Sequence, residues 1–137
     1  MTAPRLILAL SALAFLGFGV AFLVSPAPMA AFVDLTVLTP TAHTEIRAMY
    51  GGLEIGLGIV LLTLLGRQDH VVVGLRVALF AFAGMAVARL AGLVVDGAWQ
   101  PVMWLLAAIE VIATALVAWA LRSIPVARHA AEATPPA

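Results

Sequence analysis

Five charged side chains fall within or at the ends of long apolar stretches of this sequence: Arg47, Glu54, Arg89, Asp96 and Glu110. Each stretch has the length that crosses a bilayer, and a charge at the bilayer centre costs about 3 kcal/mol on insertion scales. Such residues are therefore usually paired inside a helical bundle and often mark a functional site. Arginine and carboxylate side chains together can form ion pairs, bind a polar ligand or carry protons.

The elements that must position these charges are four apolar segments of about 20 residues or more, which is the length of a membrane span. We predict the spans at about 5–24, 45–66, 71–95 and 99–121. The chain of 137 residues is 64% hydrophobic and 10% charged, whereas soluble domains are about half apolar and a quarter charged. The sequence therefore predicts an all-α integral membrane four-helix bundle in one domain, residues 1–122, partnered by the lipid bilayer, and a disordered tail over 123–137.

The longest connection, between the first two spans, has two interpretations. Met29–Leu38 is fairly apolar, so it is either a short helix lying in the membrane interface or a loop. Pro26 and Pro28 end the first span, because proline cannot continue the helical hydrogen bonds. Thr44 is placed to cap the second span.

Three spans bring charge to similar depth from the same end of the bundle. At about 1.5 Å per residue, Glu54 and Glu110 lie roughly 13 and 15 Å inside their spans, and Arg89 roughly 9 Å. We expect Arg89 to lie between the two glutamates and to contact at least one of them. Arg47 and Asp96 are expected nearer water.

The charged cluster has three interpretations: an ion-pair network that fixes helix register, an outward-opening site for a ligand or proton, or charges that face lipid. Tyr50 lies four residues before Glu54. It either donates a hydrogen bond to that carboxylate or is an aromatic residue at the interface.

Small residues flank the charged positions. Gly52 and Gly56, and likewise Gly84, Ala88 and Gly92, have the small-xxx-small spacing that lets helices approach closely. We expect helix packing within the chain at Gly51, Gly52, Gly56, Gly84 and Gly92. A homo-oligomer interface is the alternative.

Composition removes several classes of function. The formal net charge is zero and there is no cysteine, so neither a nucleic-acid partner nor a thiolate site is indicated. His43, His70 and His129 lie in connections or the tail, which argues against haem or another metal between spans. We expect no metal, no cofactor and no catalytic residues.

Arginine distribution predicts the orientation, because cytoplasmic loops carry an excess of positive charge. One side of a four-span bundle would hold Arg5, Arg67, Arg122 and Arg128. We therefore expect both termini in the cytoplasm.

The run EIRAMYGGLEIG at 45–56, followed by RLAG at 89–92, Asp96-Gly97 and Glu110, resembles a family of small bacterial membrane proteins, domain of unknown function 4345. The resemblance covers about residues 5–122, and R-x-x-Y-G-G is its most specific part. It implies a four-span bundle in a bacterial inner membrane, and a signature made of Arg47, Tyr50, Gly51 and Gly52. It implies no activity.

Three functions follow from these observations. The first is a non-enzymatic binding or accessory protein for a small molecule or lipid. The second is a small proton-coupled transporter that uses a mid-membrane glutamate. A membrane enzyme is the least favoured, since only carboxylate or arginine chemistry is available to it.

Overall fold

The computed structural model describes residues 2–37 and 39–124, and within them every regular element is a helix. The elements, in chain order, are α1 (Ala3–Val24), α2 (Pro26–Phe32), α3 (Pro40–Ile46), a π-helical segment (Arg47–Gly52), α4 (Leu53–Thr63), α5 (Gln68–Val95) and α6 (Pro101–Arg122). The segment from α3 to α4 runs without a break, so α3, the π-helical segment and α4 form one long helix.

Four helices are long and apolar enough to cross a membrane: α1, the continuous helix Pro40–Thr63, α5 and α6. The chain is thus a multi-pass membrane protein, and the predicted all-α bundle with four spans is confirmed. The prediction of a disordered tail falls almost entirely on residues 125–137, which lie outside the described part of the chain.

The second span begins about five residues earlier than predicted, because Thr39-Pro40 starts a helix. Thr39 caps it: its Oγ1 accepts a hydrogen bond from the Ala42 amide at 3.1 Å, and Pro40 takes the first position, where a missing N–H costs little. The prediction that Thr44 is the cap is wrong. Its hydroxyl donates to the Pro40 carbonyl at 3.1 Å, within the first turn of α3.

The connection between the first two spans contains a short helix, but with other bounds than the predicted Met29–Leu38. This helix, α2, begins at Pro26 and ends at Phe32. Asp34 then takes a positive φ of 60°, and the next three residues have no regular secondary structure. The Asp34 carboxylate accepts a hydrogen bond from the Gln100 side chain at 3.3 Å, which ties this connection to the start of α6.

The four spans pack mainly as two pairs of neighbours in sequence. One pair is α1 with the π-helical segment and α4, and the other is α5 with α6. Helix α1 also contacts both α5 and α6, and α4 contacts α5. The bundle is therefore two helical hairpins held together largely through α1.

A shared apolar core lies in the half of the bundle away from α2. There the ring of Phe15 on α1 stacks on that of Phe82 on α5, with centroids 4.9 Å apart. All four spans contribute to this core, whose buried residues are Leu8, Ala12, Phe15, Leu61, Val71, Leu75, Ala78, Phe82, Val117 and Ala120. The opposite half, which we call the α2 half, carries the buried charges.

Candidate functional site

The central contact of the α2 half is an ion pair between Arg89 on α5 and Glu110 on α6. Arg89 Nη2 lies 2.6 Å from Glu110 Oε1, and Arg89 Nε donates to Oε1 and Oε2 at 3.1 and 3.0 Å. The remaining nitrogen, Nη1, lies 3.6 Å from the sulfur of Met103. The guanidinium is thus held by α6 on two sides, and Met103 is a contact that the sequence analysis did not identify.

Glu110 is only 6% exposed, so its charge has been removed from water. A fork of arginine donors on one carboxylate is the strong form of such a pair. Breaking a buried pair by removing one partner is costly, because the other charge is left without compensation. The pair therefore joins α5 to α6, and 27% of the Arg89 side chain remains exposed.

Glu54 is not part of this pair. Its Oε2 atom is buried and accepts no hydrogen bond from any described residue, and no described ion pair joins it to Arg89. The prediction that Arg89 lies between the two glutamates is therefore wrong. The prediction that it contacts at least one of them is confirmed by its pair with Glu110. The physical reason is the pairing of the spans. Glu54 is on α4, which packs mainly on α1, whereas Arg89 and Glu110 are on α5 and α6, which pack on each other.

Arg47 begins the π-helical segment and reaches back to the end of α1. Its Nε donates to the Leu23 carbonyl oxygen at 3.1 Å. The last four carbonyls of a helix have no partner within it, so Arg47 satisfies one of those of α1. Arg47, which was predicted as part of the charged cluster, thus joins α1 to the second span.

Tyr50 and Gly51 contact the same end of α1. The Tyr50 ring stacks on Phe22 with centroids 5.2 Å apart, and no described hydrogen bond joins Tyr50 to Glu54. A Cβ on Gly51 would lie 3.1 Å from the backbone of Leu23. Three of the four residues that were expected to form a signature therefore meet the last turn of α1.

The closest helix contacts are made at glycines of which only Gly51 was predicted; the others are Gly19, Gly58 and Gly74. A Cβ on Gly19 would lie 2.8 Å from the Ile55 amide nitrogen, and one on Gly58 would lie 2.6 Å from the Leu16 side chain. Gly74 approaches Leu8 in the same way. Together with Gly51, these positions let α1 approach the second span and α5 closely.

The prediction of helix packing at Gly52, Gly56, Gly84 and Gly92 is wrong for the described chain. A Cβ would meet nothing within 4 Å at Gly56 or Gly84, and at Gly52 and Gly92 it would meet only atoms of the glycine's own helix. A spacing of four places residues on one face, but these faces point away from the neighbouring spans.

Asp96 lies at the C-terminal cap of α5 and is exposed. Among residues 2–37 and 39–124 it pairs with no arginine, so it is not part of the Arg89–Glu110 pair. In the same ranges, no group of three histidine or acidic side chains is close enough to hold a metal ion. Among the described residues, the buried polar chemistry of the α2 half therefore comes down to one ion pair and one glutamate oxygen without a hydrogen-bond partner.

Comparison with known families gives one match. A family model described as a domain of unknown function, DUF4345, matches residues 3–121, a range that includes all four spans, the π-helical segment and the Arg89–Glu110 pair. Neither curated proteins nor solved structures give a match. The matched range covers most of the chain, and the chain therefore belongs to the DUF4345 family.

Proposed function

We propose that this protein is a non-enzymatic membrane binding or accessory protein, with a site for a small ligand at Glu54 in the α2 half of the bundle. The observation that carries the proposal is the buried Oε2 atom of Glu54, which accepts no hydrogen bond from the described residues.

A buried carboxylate oxygen without a donor is unusual, because burying a polar group without a hydrogen bond costs free energy. Buried polar groups in native proteins nearly always have a partner. Glu54 is also the only charged residue between Arg47 and Arg67, and Arg47, the arginine of its own span, donates to the Leu23 carbonyl and not to Glu54. A ligand that fits this site carries a hydrogen-bond donor or a positive charge.

The packing of the bundle supports access to this position. The core shared by all four spans lies in the other half. In the α2 half, a separate apolar cluster of Phe22, Ala30 and Ile46 belongs to the first two spans and α2. The apolar cluster at the α2 end therefore does not include α5 or α6, and the Asp34–Gln100 hydrogen bond links the two hairpins there. On this basis we propose a site between the hairpins that opens toward that end.

The Arg89–Glu110 pair has a supporting role in this proposal. Its geometry uses two of the three guanidinium nitrogens on Glu110, so the pair is already satisfied without a ligand. It holds α5 against α6 and keeps a charged, partly exposed side chain beside the proposed opening.

The test uses a simple amine as a probe for a donor-bearing cation. The full chain in lipid nanodiscs would be titrated with benzylammonium, and its thermal unfolding midpoint measured for the wild type and for Glu54→Gln. We expect the amine to raise the midpoint of the wild type and not that of Glu54→Gln.

The matched control is Glu45→Gln, which removes an exposed carboxylate near the end of the same span. It should respond to the amine as the wild type does. An equal response in Glu54→Gln and the wild type would overturn the assignment of the site to Glu54.

A second function, a proton-coupled transporter, is supported by the same unpartnered carboxylate, since a proton would also remove the cost of the buried charge. Its test is the uptake of ethidium, a permanently charged cation, into liposomes that contain the protein. Uptake that requires an imposed pH gradient, and that Glu54→Gln abolishes, would favour transport. Binding without gradient-driven uptake would favour the accessory protein.

Orientation and membrane belong to the same proposal. The arginines at residues 5, 67 and 122 lie at the end of the bundle away from α2, and an excess of arginine marks the cytoplasmic side. We place the α2 half on the outer side of a bacterial inner membrane, so that the site at Glu54 opens outward.

A further inference from the structure

A polar groove lies at the edge of the second span, at the α2 end of the bundle and apart from Glu54. It has a volume of about 430 Å³ and is lined by Thr39, Pro40, His43, Thr44 and Arg47. None of the lining residues is acidic. The groove therefore presents hydroxyl, imidazole and guanidinium groups without a competing carboxylate on its walls.

Two basic side chains supply the donors of this groove. Arg47 is anchored through Nε to the Leu23 carbonyl, and its two Nη atoms bond to no described residue. His43 lies four residues earlier, on the same helical face, and its imidazole likewise has no described hydrogen-bond partner. An arginine whose stem is fixed and whose outer nitrogens are free is preorganised for a planar or tetrahedral oxyanion.

The two threonines differ in what they can offer a ligand. Thr44 already donates its hydroxyl hydrogen to the Pro40 carbonyl. Thr39 accepts a bond from the Ala42 amide, so its own O–H remains available as a third donor. Glu45 is two residues from both His43 and Arg47, and it therefore projects from the other side of the helix.

The depth of the groove indicates where its ligand comes from. The helix Pro40–Thr63 has 24 residues and is therefore about 36 Å long at ~1.5 Å per residue. A hydrocarbon core is about 30 Å thick, so one end of this helix extends into the headgroup layer. The groove begins at the first turn of that helix, so its outer part is expected close to the level of the lipid headgroups.

We propose that this groove is a binding site for a phosphate group, held by the Nη atoms of Arg47, the imidazole of His43 and the hydroxyl of Thr39. The site is independent of the proposed function at Glu54, and either one can hold without the other. The shared chemistry admits two sources, a phospholipid headgroup and a soluble phosphate.

The experiment is native mass spectrometry of the full chain released from detergent micelles, with three probes. Dioleoyl phosphatidylglycerol tests the lipid, dioleoylglycerol is its counterpart without phosphate, and inorganic phosphate tests the soluble source. Retained phosphatidylglycerol that millimolar phosphate does not displace assigns the lipid headgroup. Displacement assigns a soluble phosphate.

Variants test the residues of the site. His43→Ala with Arg47→Gln should weaken binding of phosphatidylglycerol by about tenfold or more, because charge-assisted hydrogen bonds are the strong ones. His43→Ala alone touches neither Leu23 nor the cap of α3, so it keeps the test usable if the double variant does not fold. The matched control is Arg67→Gln, which removes an exposed arginine from the other end of the spans.

Three results would overturn the proposal. The first is equal retention of phosphatidylglycerol and dioleoylglycerol by the wild type. The second is unchanged phosphatidylglycerol binding in folded His43→Ala or in the double variant. The third is a loss of binding in Arg67→Gln as large as that in the double variant, because net charge alone would then account for the effect.

Discussion

Arg47 donates a hydrogen bond from Nε to the carbonyl oxygen of Leu23, which lies 24 residues earlier, in the last turn of α1. A cation at the C-terminal end of a helix also interacts favourably with the helix dipole. The arginine is therefore stabilised without a carboxylate partner among residues 2–37 and 39–124. This explains why it can lie within the second span and remain outside the ion pair formed by Arg89.

The first prediction concerns the Arg89–Glu110 pair. Arg89→Ala should lower the free energy of unfolding by ~3–5 kcal/mol, because Glu110 would be left buried and uncompensated. Glu110→Gln in the same background should restore part of that loss. The measurement is loss of helical circular dichroism on titration with a denaturing detergent.

Glu54→Gln in the Arg89→Ala background is the matched control for that pair. Since Glu54 makes no described contact with Arg89, its substitution should restore nothing. Equal rescue by Glu54→Gln and Glu110→Gln would show that Arg89 is shared between the two carboxylates, contrary to the structure.

The second prediction tests close packing of α1 on the second span. A Cβ on Gly19 would lie 2.8 Å from the Ile55 nitrogen and 2.9 Å from the Gly51 oxygen, and backbone atoms cannot move aside easily. Gly19→Ala should therefore cost about 1–3 kcal/mol, as is typical of overpacking. Thermal unfolding in a mild detergent would measure the loss.

Gly17→Ala is the control, because a Cβ at Gly17 meets nothing within 4 Å. Alanine is also the better helix former by about 1 kcal/mol, so this variant should be no less stable than the wild type. The packing described for α1 would be contradicted if the two alanine variants unfolded at the same midpoint.

The third prediction separates the ring of Tyr50 from its hydroxyl. The ring stacks on Phe22, whereas the hydroxyl has no described hydrogen-bond partner. Tyr50→Phe should change the unfolding free energy by less than about 0.5 kcal/mol. Tyr50→Ala should lose the stacking, worth about 0.5–1.5 kcal/mol beyond the buried area. A large loss in Tyr50→Phe would restore the hydrogen bond to Glu54 as the explanation.

The fourth prediction is the orientation. Reporter fusions at Ala137 and within residues 36–42 should report the cytoplasm and the outside, respectively, because arginine is concentrated at the end of the bundle away from α2. The reverse pattern would place the site at Glu54 on the cytoplasmic side, and would also move the phosphate groove to that leaflet.

The number and type of spans could be predicted from sequence because long apolar runs and prolines determine them with few alternatives. The start of the second span could not be placed as well. Thr39-Pro40 has the chemistry of a helix start, but the polar residues up to Glu45 made the apolar run seem to begin later. Hydropathy identifies the part of a helix that lies in lipid, and not the turns that extend beyond it.

The partners of the charged residues depend on which helices are adjacent, and residue spacing does not contain that information. Depth along the span placed Arg89, Glu54 and Glu110 at a similar level, but only α6 packs against α5 along its length. The glycines failed for a related reason. Gly52 and Gly56 lie on one face of the second span. The adjacent face, which carries Gly51 and Gly58, is the one that packs against α1.

The π-helical segment had no clear signal in the sequence. Its wide turn is marked by the Leu53 amide, which bonds five residues back to the Ala48 carbonyl. Segments of this kind are rare and frequently lie at functional sites. Here the wide turn presents Arg47, Tyr50 and Gly51 together to the end of α1, which is a reason to expect a signature at these residues.

The pairing of consecutive spans also bears on how the protein is made. Each hairpin consists of consecutive spans, so its contacts close shorter loops than the contacts of α1 with α5 and α6 do, and they cost less loop entropy. The first hairpin can assemble in the bilayer while the second is still leaving the ribosome, since folding during synthesis proceeds from the N-terminus. Biogenesis then needs one later step, in which two finished hairpins dock through the stacked rings of Phe15 and Phe82.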